Sequence, residues 1–263
     1  MSIDQFTRKV LGILQTHFPD RDFELGEEEG TIISGDTRFG TTNLYAEYAN
    51  SGEDDEALEQ GIQSNFTKIF SVLDTDGSIP DDFEDAKDRL RLQLISSEIN
   101  VADRAITFPF AEDVLSSIVV DAPAGYAYVR KQDAERWEQS TFDLLEIARE
   151  NLITAIQDTE MLVIPGPPKL CVFQTNDGYD AARILLEVVR CDLIEQLVEE
   201  TGENASVLVG IPNRDFLIAW NEDAPEEMQE NIRSQIIEDA QRQSHPLSEL
   251  VYRVTRESIK IDR

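Results

Sequence analysis

Three pairs of short β-rich runs are each closed by a turn too short to hold a helix. LSSIVVD and YAYVRK are separated by APAG, MLVI and LCVFQ by PGPPK, and SVLVGI and DFLIAW by Pro212, Asn213 and Arg214. Strands joined so closely run antiparallel, because a parallel pair needs a crossover of a dozen or more residues. The prolines and glycine of PGPPK cannot continue a ladder and therefore mark a turn. Helical periodicity lies between the hairpins rather than between single strands. The expected fold class is α+β: an antiparallel sheet built from hairpins and packed against helices, with a smaller helix-plus-hairpin N-terminal part.

The helices are read from apolar spacing and caps. Ser2 caps a first helix and Gln5 completes its capping box, with Phe6, Val10, Ile13, Leu14 and Phe18 on one stripe. FELGEEEGTIIS gives two strand-like pieces around a Gly- and Glu-rich turn, and NLYAEYANS reads as a helix. Residues 53–73 open with acids suited to a helix N-terminus. An acidic stretch with Pro80 follows, and a further helix is expected through DFEDAKDRLRLQLISSE. Ser140 with Asp143 caps FDLLEIARENLITAIQ, and GYDAARILLEVVRCDLIEQLVEE reads as one deeply buried helix. A last helix begins at Pro225, and LVYRVT is a closing strand. The expected division is 1–75, a helix/hairpin/helix part; 76–100, an acidic connector and helix; and 101–263, the main α+β region. One continuous domain is the alternative.

Charge bounds the partners. Acidic residues number 53 against 23 basic ones, six of them lysine, for a net charge of −30. So negative a surface repels phosphate backbones and anionic lipid, so neither nucleic acid nor membrane is an expected partner. The acids are spread along the whole chain, unlike those of a DNA mimic, and an acidic, Lys-poor surface also suits a salty habitat. No run approaches the ~20 apolar residues of a membrane span. MSIDQFTRKVLGIL is broken by Asp4, Arg8 and Lys9 and does not read as a signal peptide. Cys171 and Cys191 sit in apolar runs and form no disulfide framework, which points to a reducing, cytoplasmic setting.

Recognised chemistry is scarce. GxGxxG, a P-loop, GxSxG, CxxC and HExxH are all missing from the sequence. Around DTDG, an EF-hand alignment puts Val72 at the first ligand and Phe83 where the bidentate Glu belongs, so no metal or cofactor is expected. The two histidines, His17 and His245, read as helix-end or surface residues, and Trp137 and Trp220 as packing anchors. Two loops hold the candidate binding residues. NDGYDAAR places Asp177 and Tyr179 at a helix start, and IPNRDF places Arg214 and Asp215 at a hairpin tip. Arg214 is a bidentate donor for carboxylate or phosphate, and Asp177 a candidate base or metal ligand. Both loops also have local explanations, an N-cap turn and an Arg–Asp pair within a turn. Asp121 and Arg130, flanking the first hairpin, carry less.

IVVDAPAGYAYVRKQDAERW, STFDLLEIARENL, DGYDAARILL and VGIPNRDFLIAW together resemble the YtpQ-like family of bacterial proteins of unknown function, over roughly residues 100–220. The resemblance implies a bacterial cytoplasmic setting and a shared fold, and carries no catalytic residues with it. The reading of the residues is a non-enzymatic protein-interaction, regulatory or adaptor module with a protein partner. The alternative is a hydrolase or small-molecule-binding enzyme whose carboxylates near Asp177 and Asp215 converge.

Overall fold

The computed structural model describes all residues except 36, 51, 53, 75–78, 98–104, 123–124, 158, 176, 200–201, 203–204, 244 and 263, and except the side chains of 37, 68–69 and 71–74. Residues 75–77 of the acidic DTDG stretch, half of APAG and Asn176 of the NDG turn thus lie outside the described residues. The chain divides into two compact units, Met1–Ser78 with Arg242–Ser244, and Ile79–Gln241 with His245–Arg263.

In the first unit, α1 (Ile3–His17) starts at the capping box read from the sequence. The Gln5 amide donates to Ser2 Oγ at 3.3 Å, and the Ser2 amide donates to Gln5 Oε1 at 3.1 Å. β1 (Glu24–Leu25), β2 (Thr31–Ser34) and β3 (Thr37–Gly40) form a three-stranded antiparallel sheet, followed by α2 (Thr42–Asn50) and α3 (Asp55–Asp74). Phe6, Val10, Leu14, Ile32, Ile62, Phe66 and Phe70 make its core. Inside that core, the Thr7 and Thr41 hydroxyls bond each other at 2.8 Å and Thr41 donates on to the Gly30 carbonyl at 2.9 Å. Buried polar atoms satisfied in this way fix the α1–sheet geometry at no desolvation loss.

The second unit runs α4 (Phe83–Lys87), β4 (Leu90–Ser96), β5 (Thr107–Pro109), β6 (Val114–Ala122), β7 (Gly125–Tyr128), α5 (Lys131–Arg136), α6 (Thr141–Ile156), β8 (Leu162–Ile164) and β9 (Leu170–Phe173). A 3-10 turn (Ala181–Leu185), α7 (Glu187–Leu197), β10 (Val207–Gly210), β11 (Leu217–Asn221), α8 (Glu226–Arg242), β12 (Val251–Val254) and β13 (Ile259–Ile261) complete it. One sheet has the order β4-β6-β5, with β7 also on β6; the other has the order β13-β12-β10-β11-β9-β8. The expected hairpins β6/β7, β8/β9 and β10/β11 all form, and every pairing among the described residues is antiparallel. The fold is α+β.

Two helices differ from expectation. The helix expected through DFEDAKDRLRLQLISSE stops at Lys87, and Leu90–Ser96 is strand β4 instead. Leu90, Leu92 and Leu94 alternate with Arg91 and Gln93, a period of two, and the register Leu90↔Val120 and Leu92↔Ile118 turns the leucines toward the core with α6. Asn151 of α6 holds the junction by donating to the carbonyls of Lys87 and Leu90 at 2.8 and 3.0 Å. The long helix expected from Gly178 is also broken. Ala181–Leu185 is a 3-10 turn, Leu186 is extended, and α7 starts only at Glu187. Side chains of the turn bind backbone and one another there, which competes with the helical ladder.

Trp137 and Trp220 are buried, as packing anchors should be. In α8 Ile232, Ile236 and Ala240 are buried while Met228 is exposed, and Cys191 is only half-buried. Gly210 explains how close α8 lies to its sheet: an added Cβ would stand 2.3 Å from Ile236 Cδ1. Among the described residues no helix is long and apolar enough to cross a membrane.

Candidate functional site

The face of the smaller sheet opposite α6 is polar. Pairing puts Gln93 with Ser117, Arg91 and Tyr128 with Val119, and Tyr126 with Asp121, all on that one face. Three loops of the second unit close on it: residues 174–185, the β10/β11 turn at 211–216, and 245–247.

The first loop is built by its own side chains. Asp177 Oδ1 accepts from the Tyr179 amide at 2.9 Å, an Asx turn, and Gly178 takes φ +87°. Asp180, fully buried, accepts from the Thr175 amide and hydroxyl at 2.8 and 2.9 Å. Arg183, also fully buried, reaches back from the 3-10 turn. Its guanidinium pairs with Asp180, meets Asp177 Oδ2 at 2.6 Å and Thr175 Oγ1 at 3.2 Å, and lies 5.4 Å from the Phe173 ring centre. Among the described residues its Nε atom has no partner. The loop is then fixed to the sheet: Gln93 Nε2 donates to the Gly178 carbonyl at 2.7 Å, and the Tyr179 hydroxyl donates to Asp121 Oδ1 at 3.0 Å.

The second and third loops meet the first. The Ala181 amide donates to the Arg214 carbonyl at 3.1 Å, the Arg214 amide to the His245 carbonyl at 3.1 Å, and the Leu247 amide to the Pro212 carbonyl at 2.9 Å. The Asp215 amide donates to Asn213 Oδ1 at 2.9 Å, so this tip is a second Asx turn. The Arg214 side chain, 20% exposed, contacts Asp215 through Nε at 3.3 Å and Nη2 at 3.5 Å. Its guanidinium lies 5.7 Å from the Tyr126 ring centre, and a methyl on Gly178 would stand 3.8 Å from its Nε. Tyr126 and Tyr128 pack edge to face with ring centres 5.5 Å apart.

Burial dominates the titration of this junction. Burial pushes the Tyr179 hydroxyl well above its ordinary pKa, and the Asp121 carboxylate adds to the effect. Burial does the same for Tyr128, with Tyr126 contributing. His245 is pushed down to about 4 by burial and then by the Arg214 charge, with Asp215 opposing. Burial works against the Arg214 charge too, but Asp215 and the Tyr126 hydroxyl more than offset it, and its pKa rises. His245 also sits at φ +56°, an uncommon conformation for a residue with a side chain. It was expected at a surface or helix end; it is packed into the junction instead.

The structure brings Asp177, Tyr179, Arg214 and Asp215 to one place, but the two carboxylates address different arginines. Asp177 serves Arg183, and Asp215 serves Arg214. Arg130, also considered from the sequence, is elsewhere engaged: its Nε and backbone amide both donate to buried Asp133, at 2.8 and 2.9 Å. Sequence reasoning passed over Arg183, Asp180, Tyr126 and Tyr128. The YAY spacing does place both tyrosines on one strand face, and Asp180 with Arg183 has helical i,i+3 spacing; nothing local marks either as part of a junction. Among the described residues no group of three His, Cys, Asp or Glu is placed to hold a metal ion.

No family model and no solved structure matches the chain. Among curated proteins it is similar to a UPF0354 protein of Listeria welshimeri, 26% identical over 216 residues that cover 76% of this chain and 73% of the relative. That likeness supports a relationship to an uncharacterised bacterial family.

Proposed function

We propose that this chain is a non-enzymatic protein-interaction or regulatory module of the bacterial cytoplasm, from the YtpQ-like family. One observation carries the reading: the carboxylates gathered at the junction are held by donors of the protein itself. A general base has to reach a substrate proton. Asp177 holds Arg183 and the Tyr179 amide, Asp180 holds Arg183 and Thr175, Asp215 holds Arg214, and Asp121 holds Tyr179. The Cys171 thiol, pushed up to about 11 by burial, is protonated at neutral pH and is no nucleophile. Two free cysteines fit a reducing compartment.

The second reading, a hydrolase or small-molecule-binding enzyme, is favoured by Arg214 alone. Its guanidinium is partly exposed, lies beside an aromatic ring, and shares Asp215 at distances a ligand carboxylate or phosphate could better. Two assays separate the readings. The pure chain is screened against ester, phosphomonoester and peptide substrates, and its unfolding temperature is followed with divalent metals, nucleotides and metabolites. The interaction module turns over nothing and is shifted by none of them. Turnover abolished by Asp177→Asn and Asp215→Asn in folded protein overturns it, as does a shift of several degrees abolished by Arg214→Met; a ligand at 100 times its Kd adds about 2.7 kcal/mol.

A further inference from the structure

β8 ends the six-stranded sheet, and among the described residues it pairs with β9 alone. An edge strand offers a row of open N–H and C=O groups, which proteins ordinarily blunt with shortness, charge, bulges or cover; β8 is three residues long, so the row it offers is short. β8 carries no charge, and Leu162 and Ile164 are 59% and 39% exposed. The register sets both on the face of Leu170 and Val172, continuous one strand further with Ile218 and Trp220. α8 covers that face over Leu208, Trp220 and Val251 through Ile232 and Ile236. Its cover stops short of β8, leaving an apolar strip beside an open edge.

Charge says what fits there. At the C-terminal end of β8 the chain enters Pro167–Lys169, which lines a cleft of about 950 Å³ together with Glu195, Glu199 and Asp223. The one lysine of that lining is tied down, its Nζ donating to the Gln196 carbonyl at 2.6 Å. A second copy of this chain would bring a net charge of −30 against −30, whereas a cationic segment is drawn in. Resting on the interaction reading above, we propose that a partner protein adds an extended segment antiparallel to β8. Its alternate apolar residues meet Leu162 and Ile164, and Lys or Arg residues on its N-terminal side enter the Glu195–Glu199–Asp223 cleft. Antiparallel addition sets that polarity, because the N-terminal part of the segment then lies over the C-terminal end of β8.

The probe is a labelled peptide, Lys-Arg-Lys-Thr-Val-Thr-Ile-Thr, titrated with the full chain by fluorescence anisotropy at 0.15 M salt. Its controls are the reversed sequence and one with the Val replaced by Pro, both of the same charge. The forward peptide binds at least tenfold more tightly than either control. The double substitution Leu162→Thr with Ile164→Thr, which keeps β-branched residues on the strand, removes that advantage. Glu195→Gln with Asp223→Asn weakens binding several-fold and flattens its salt dependence. Equal binding of the three peptides to the unaltered chain, or binding unaffected by the threonine pair, means charge attraction only and overturns the proposal. That result leaves the interaction reading standing, since the substrate and ligand screens alone decide it.

Discussion

Replacing Arg183 by Met tests whether the first loop is a structural clamp. The guanidinium is fully buried, and so is Asp180, its closest partner. Met keeps most of the stem volume, so the cost is electrostatic rather than a cavity. Asp180 would keep the two donors of Thr175 but lose its buried counter-charge, and removing one partner of a buried pair costs about 3–5 kcal/mol. Asp177, whose side chain is 39% exposed, is screened by solvent; Asp177→Asn should cost about 0.5–1 kcal/mol. Urea unfolding followed by tryptophan fluorescence reads this directly, because Trp137 and Trp220 are both buried in the second unit. For a slope of about 2 kcal/mol per molar, Arg183→Met lowers the midpoint by about 2 M and Asp177→Asn by less than about 0.5 M. Adding Asp180→Leu to Arg183→Met should recover much of the loss, since apolar replacement of a whole buried pair is often neutral. Equal costs for Arg183→Met and Asp177→Asn, or a double variant worse than the single one, would refute the clamp.

Gly210→Ala forces its new methyl against Ile236 at 2.3 Å and should cost about 1–3 kcal/mol by urea unfolding, with Ile236→Val as a second change restoring part of it. His245 stays neutral in the folded chain down to about pH 4, while the unfolded chain protonates it near 6.5. Its contribution is therefore complete above pH 6.5 and is lost as pH falls toward 4, by up to about 3 kcal/mol; His245→Gln should flatten the stability profile in that window, and an unchanged profile would count against the packing described. A charge of −30 repels itself, so raising KCl from 0.1 to 1 M should raise the unfolding temperature, and a flat response would mean that local pairing already neutralises the surface.

The hairpins were legible because their information is local. PGPPK and Pro212–Arg214 can be little else than turns, and the runs they join had to pair with each other. The Ser2 and Ser140 caps were legible for the same reason, each being one hydroxyl and an amide three residues on. β4 was misread because DFEDAK is a genuine helix start, capped by Asp82 onto the Glu84 amide, and helical momentum carried past the alternation of Leu90, Leu92 and Leu94. The break at Leu186 could not be read at all. ARILLEVV is good helix sequence, and at the break it is the Arg190 guanidinium that takes the carbonyls of Ile184 and Leu185.

The candidate site shows the same limit from the other side. Asp177 and Arg214 stand out in the sequence because Asx turns and Arg–Asp pairs are local patterns. Their meeting depends on bonds across long sequence separations, from Gln93 to Gly178, from Asp121 to Tyr179 and from Arg214 to His245. Each of those bonds ends on a loop carbonyl or, at Asp121, on a carboxylate of β6, so the residues that mark the site are also the ones that fasten it. A carboxylate that accepts a buried guanidinium and a turn amide, as Asp177 does, has most of its lone pairs committed, and withdrawing it for chemistry would unfasten the loop that positions it. Among the described residues, apolar side chains stand exposed beside the unpaired side of an edge strand at Leu162 and Ile164.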